Sequence, residues 1–427
     1  MSCNEVTVCR SVMGVAVAAA LALTACERVA APPAPLAPPS EFTSPAGGGS
    51  GEPFLVPAAG GGVWLSWLER IDSVHALRVA RLDGNGWSEP RTIASSSSFF
   101  VNWADFPSVF ERADGRLVAH WLARSGAGRY AYDVVTAVSS DGGANWTQPV
   151  RPHRDGTASE HGFVSLFPMP DGSVGAVWLD GRQTVSGHDA TTHDTAAAGD
   201  GHEATANRAM SLRFTTLAAD GVPGEDVLID ERVCDCCQTD VAATEDGAVL
   251  VYRDRSTEEV RDIAVRRLVN GEWSEAAPVH ADGWVIPGCP VNGPSVSASG
   301  RSVVVAWFTA ARDTARVNIA FSTDGGATFG PPFRLDEGDP VGRVDVLLLE
   351  DGIALVSWLE RTADGAQVRA RRVSAAGAMS EPTTVASSSA ERASGFPRMA
   401  LAGDHVVFAW TAPGDPAQVR VARAPLR

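Results

Sequence analysis

Lysine is missing from all 427 residues, so every one of the 35 fixed side-chain cations is an arginine. Chemistry that runs through a lysine Schiff base is therefore excluded. Net positive charge is missing too: the formal charge is −16, which argues against nucleic acid or an anionic membrane surface as a partner. Long apolar runs are rare. Apart from the run Val12 to Leu23, no segment invites reading as a membrane span. No second Pro- or Gly-rich linker divides the chain after residue 52, which disfavours two separate domains. Cysteine is sparse, and beyond Cys26 it occurs only at Cys234, Cys236, Cys237 and Cys289.

What the chain does have is a period. Seven apolar segments end in an aromatic: Trp67, Trp121, Trp178, Tyr252, Trp307, Trp358 and Trp410, spaced 54, 57, 74, 55, 51 and 52 residues apart. A repeat near fifty residues marks a propeller or solenoid, because one unit cannot bury its own apolar face and must stack on its neighbours. Runs such as Val303 to Phe308 and Ile353 to Leu359 are almost continuously apolar, as expected of strands covered on both faces. We expect an all-β chain, a β-propeller of four-stranded antiparallel blades with seven repeats counted and six as the fallback. The last repeat stops after its third strand, Gln418 to Ala424, so a segment near Glu41 to Pro45 is expected to close the ring.

The amino-terminal segment reads as an address. Arg10 precedes the uncharged run, which ends in small residues before Cys26, the pattern of a secretory signal. Leu23-Thr24-Ala25-Cys26 resembles the lipobox of bacterial lipoproteins. That resemblance implies lipidation of Cys26 and anchoring in the bacterial cell envelope, at the outer membrane or periplasm, with the membrane touched only through the lipid. Residues 1–26 are thus expected to be a signal peptide, 27–52 a flexible Pro/Ala/Gly tether, and 53–427 the propeller.

Two turns carry a family resemblance. Ser139 to Trp146 reads SSDGGANW and Ser322 to Phe329 reads STDGGATF. Both resemble the Asp-box, or BNR repeat, of the sialidase superfamily, in which Asp accepts backbone hydrogen bonds, Gly takes a positive φ and the aromatic packs between blades. In that family the boxes are structural and lie away from the active site, and the blades number six. The family holds a substrate carboxylate with three arginines, attacks with a Tyr–Glu pair and protonates with an Asp. Topology independently gathers charge at one face, where second strands end and innermost strands begin. Candidates there are Arg182, Arg253 or Arg255, and Arg343 as a carboxylate clamp, with His161 beside them. Tyr252 is the candidate nucleophile, Asp105 or Asp180 the acid, and Glu360 a further catalytic carboxylate. The resemblance implies a sialidase-like hydrolase, or a binder, for an acidic glycan or other small anionic substrate at an Arg-lined central pocket; a propeller with a Cys-based site and no glycosidase activity, or a non-catalytic interaction scaffold, stays open beside it, and a monomer is expected. Two departures stand out. The first repeat reads Phe54-Leu55-Val56-Pro57, where the family carries an arginine, and Tyr252 fills the slot of a packing aromatic.

The cysteines form a second cluster. CDCC at Cys234 to Cys237 and Gly-Cys-Pro around Cys289 precede consecutive innermost strands, so the four sulfurs should lie close together. Disulfides, a Cu or Zn ion held by Cys234, Cys236, Cys237 and Cys289 with His280 or His161, and a redox-active pair all remain open. The insertion 187–206, with His188, His193 and His202, reads either as a metal-sequestering tract or as a polar loop.

Overall fold

A computed structural model describes residues 31–184 and 209–427. The expected signal peptide with Cys26, and the insertion 187–206, lie outside the described residues. The strands pair into seven antiparallel sheets arranged as seven blades. Blade 1 takes residues 50–96, blade 2 108–150, blade 3 161–233, blade 4 240–280, blade 5 295–334, blade 6 340–388 and blade 7 398–425. Innermost strands touch one another in chain order, and that of blade 7 meets that of blade 1, so the ring is closed. Seven, not six, is the number of blades.

The repeat aromatics do what their spacing implies. Trp67, Trp178, Tyr252, Trp307, Trp358 and Trp410 are buried to 1 % exposure or less, and Trp121 to 5 %, each in the apolar layer between neighbouring sheets. Both faces of every second strand are covered, which is why those strands are valine-, leucine- and alanine-rich without alternation.

The ring closes through a short strand, Ser40–Phe42, which pairs antiparallel with Gln418–Pro425 as Ser40 to Arg423, Glu41 to Ala422 and Phe42 to Val421. Phe42 stacks over Trp87 at 6.1 Å, and Leu36 is buried among side chains of blades 6 and 7. The tether expected over 27–52 is therefore corrected from Leu36 onward. A Pro/Gly-rich composition does not keep this stretch loose, because Leu36, Phe42 and Ala46 each find an apolar pocket.

The two Ser-x-Asp-Gly-Gly turns share one hydrogen-bond set. Ser139 Oγ and Ser322 Oγ accept from Gly143 N and Gly326 N, and Asp141 and Asp324 accept from Asn145 N and Thr328 N, each at 2.8–3.0 Å. Gly142, Gly143, Gly325 and Gly326 all take positive φ, which a side chain would strain.

Candidate functional site

The face predicted from topology is heavily charged, but most of its polar groups are structural. Trp67, Trp178 and Trp358 each donate their indole N–H to the acid two residues on: Glu69 at 2.8 Å, Asp180 at 2.8 Å and Glu360 at 2.5 Å. Residues i and i+2 share a strand face, so the acid reaches back to the buried ring. Glu360 also accepts from Asp339 N at 2.8 Å and is only 5 % exposed, so both of its oxygens are already engaged. On or just before the innermost strands, Asp105, Asp240 and Asp345 accept the backbone N–H of Phe163, Val296 and Met399 in the following blade, at 2.7–2.8 Å. These carboxylates clip one blade to the next.

The arginines do not converge. Arg253 is buried, gives its donors to the carbonyls of Arg261, Asn292 and Phe308 at 2.6–3.0 Å, and lies over the Trp284 ring. Arg343 donates to Ser394 Oγ and the Gly395 carbonyl and lies over Trp103. Arg255 pairs with Asp235 and Glu259 at 2.7 and 2.8 Å. Arg182 pairs with Asp180 and Asp226, both at 2.7 Å. Each guanidinium is thus taken up by protein groups, those of Arg253 and Arg343 by partners towards the following blade. Tyr252 is 1 % exposed and donates to Asp230 at 2.7 Å, in keeping with a packing role rather than an attacking one. A cavity among the innermost strands, lined by Phe54, Asp105, Phe163, Asp240 and Arg398, has a volume of about 50 Å³. That is room for water and not for a sugar.

His161 and Asp180 do come together, within a network that extends beyond the sequence reading. His161 is fully buried; its Nδ1 lies 3.2 Å from the Tyr132 carbonyl, and its Nε2 lies 3.3 Å from Asp155 and 3.7 Å from Asp180. Burial works against the imidazolium, but Asp155 and Asp180 outweigh it and raise the pKa of His161. His153 stacks on the His161 ring at 3.9 Å, and burial together with that neighbouring charge lowers its own pKa. Ligand atoms of Asp133, His153 and His161, and of Asp155, His161 and Asp180, lie within 4.8 Å of one another, close enough to share a cation.

Beside this network is a centre built on Asp105, the candidate acid of the sequence reading, with Glu160 and with Tyr132, which that reading missed. The Tyr132 hydroxyl is 2.8 Å from Glu160 and 3.0 Å from Asp105. A phenol has one proton to donate, so two such contacts require that one carboxyl bring a proton of its own. Burial pushes Glu160 up to about 7 and Asp105 up to about 8, despite the hydrogen bonds that favour their charged forms. Gly162 makes this packing possible, since a Cβ there would collide with Asp105 and Tyr132. Glu160 is only half-buried and forms the solvent side of the trio. Tyr132 stacks on Phe100 at 3.9 Å; Arg124 lies over Phe100 at 5.3 Å and Arg129 over Tyr130 at 5.4 Å. Arg124, Arg129 and Tyr130 are exposed. A hint was present in GRYAY, where two tyrosines flank the start of a strand, but nothing periodic marked it.

The cysteines gather as expected. Cys236 and Cys289 form a disulfide, while Cys234 and Cys237 are free and buried with their sulfurs in contact. The sulfurs of Cys234, Cys236 and Cys237 lie within 4.8 Å of each other, and among the described residues no histidine joins that group. His280 lies instead on the outer strand of blade 4, 3.9 Å from Asp282.

No family model and no curated protein matches the chain. Solved structures similar to it include the GH93 α-L-arabinofuranosidase of Fusarium graminearum in complex with arabinobiose, 14 % identical over 78 % of this chain and 95 % of that one, TM-score 0.49. Another is the polysaccharide lyase Uly1, 10 % identical over 88 % and 90 % of the two chains, TM-score 0.48. A third is the NanB sialidase of Streptococcus pneumoniae, 9 % identical over 91 % and 94 %, TM-score 0.46. These neighbours are glycan-active proteins. The seven-bladed ring of this chain rests on its own strand pairing, described above.

Proposed function

We propose that this propeller binds and acts on an acidic glycan at the rim of blades 2 and 3, not in its central channel. The observation that carries the reading is the Tyr132 hydroxyl held between Glu160 and Asp105, whose carboxyls burial pushes up to about 7 and about 8. A half-buried carboxyl near neutrality exchanges protons at working pH, which glycosidic bond cleavage requires. The exposed Tyr130 ring offers a stacking surface for a sugar, and Arg124 and Arg129 offer planar donors to its carboxylate. Tyr132 and Asp105 are buried behind Glu160 and hold its proton in place, so Glu160 is the member of the trio offered to substrate, rather than Tyr252 or Glu360. On this reading the protein works at the cell envelope, carried there by a lipid on Cys26.

The test incubates the mature protein with polysaccharides bearing sialate or uronate and follows released oligosaccharides by chromatography. Cleavage lost in Glu160→Gln and Tyr132→Phe, and binding weakened in Arg124→Ala with melting temperatures kept, is the expected outcome. If those variants bind and cleave like the parent, or no acidic glycan is engaged, the reading fails. Incorporation of labelled fatty acid, abolished by Cys26→Ser, checks the anchor.

A further inference from the structure

The four cysteines of the propeller form two layers. The Cys236–Cys289 disulfide ties the connection before blade 4 to the connection before blade 5. Cys289 is exposed and Cys236 half-buried, so this bond faces solvent. Beneath it, Cys234 and Cys237 are free thiols at 1 % and 2 % exposure, with their sulfurs in contact. Both inner sulfurs lie within 4.8 Å of Cys236 Sγ. A guanidinium nitrogen of Arg261 sits 3.5 Å from Cys234 Sγ, and Glu259 holds that arginine in place at 2.7 Å. The two inner thiols are therefore unequal. Burial opposes ionisation of both, but the hydrogen bond from Cys237 and the charges of Arg253 and Arg261 bring Cys234 down to about 7. Cys237, facing the Cys234 sulfur, is pushed up. Two buried thiols three residues apart, one beside a guanidinium and both within 4.8 Å of a disulfide sulfur, form the arrangement of a thiol-exchange set.

We propose that these cysteines are a two-layer thiol–disulfide relay, in which the buried Cys234 and Cys237 exchange two electrons with the exposed Cys236–Cys289 bond. The Cys234 thiolate attacks Cys236 Sγ; a Cys234–Cys236 bond forms, and Cys289 leaves as a thiolate and takes a proton from solvent. Cys237 then gives up its proton and attacks Cys234 Sγ. A Cys234–Cys237 disulfide forms, and Cys236 leaves and takes that proton. One disulfide and two thiols stand on each side, so the internal transfer needs no outside oxidant. The surface dithiol so produced would react with a disulfide-bearing protein or small-molecule disulfide in an oxidising compartment. The relay is independent of the glycan reading and uses none of its residues.

The test is trapping of the native mature protein, purified without reductant, by excess iodoacetamide at pH 8. Peptide mapping after acid quench reads each cysteine separately. The relay predicts slow alkylation of Cys289 and Cys236 together with accumulation of a Cys234–Cys237 disulfide. Cys234→Ser should slow Cys289 alkylation by roughly tenfold or more, and Arg261→Met should slow it by a smaller factor. The wild-type result stands by itself should a variant fold poorly. Absence of Cys289 alkylation in the wild type, an unchanged rate in Cys234→Ser, or a soft metal ion bound stoichiometrically by the inner thiols would each overturn the proposal.

Discussion

Asp105→Asn separates the clip function of this residue from its proton. In the parent, Asp105 Oδ1 accepts from Phe163 N at 2.7 Å and Oδ2 contacts the Tyr132 hydroxyl at 3.0 Å. Asparagine keeps the shape and an acceptor for Phe163, and Tyr132 can then donate to Glu160. What disappears is a carboxyl that burial lifts to about 8 in the folded protein. An unfolded aspartate titrates near ~3.9. Between these values the native state keeps a proton that the unfolded state has lost. Stability from this group is full below about pH 4 and drains away as pH rises through about 8, at a limit of about 1.4 kcal/mol per pH unit. Asparagine does not titrate. We expect urea midpoints of parent and variant to agree within about 1 kcal/mol near pH 5, and the variant to lead by about 2 kcal/mol or more at pH 8. The variant will not be pH-independent, because Glu160, lifted by burial to about 7, still titrates. Parallel curves across this range would show that Asp105 is already ionised, and the shared-proton argument would fall.

Three further outcomes follow from the packing. Glu360→Ala should lower stability by about 2–3 kcal/mol in urea unfolding, since the Trp358 indole and Asp339 N–H lose their acceptor, while glycan binding is unchanged. Arg253→Met should cost at least about 3 kcal/mol by the same assay, because the carbonyls of Arg261, Asn292 and Phe308 lose a donor. Phe42→Ala should cost about 1–2 kcal/mol and expose the 31–45 segment to limited proteolysis, as the ring-closing strand loses its stacking on Trp87.

The architecture was readable because the repeat aromatics obey one constraint, burial between two sheets, and that constraint recurs every fifty residues or so. The ring-closing strand was readable for a similar reason: a terminal blade with three strands leaves an open edge. The site was only half readable. Charge at strand ends was correctly located, but a single chain does not reveal whether a carboxylate faces substrate or an indole two residues back, as Glu360 and Asp180 do. Arg253 and Arg343 have donors consumed by carbonyls from distant loops, which no local pattern shows. Tyr132, His153 and Asp155 escaped notice because their partners lie up to 29 residues away. The four thiols were placed together by topology, and their division into a bonded surface pair and a buried free pair came only from three-dimensional packing.

A crystal structure of the protein with an acidic oligosaccharide bound tests the central claim most directly. We predict a sugar ring against Tyr130, its carboxylate on Arg124 or Arg129, and a glycosidic oxygen within hydrogen-bond distance of Glu160. A saccharide seated in the central channel, or on the side of the Ser139 and Ser322 turns with Glu160 and Tyr132 untouched, would contradict it.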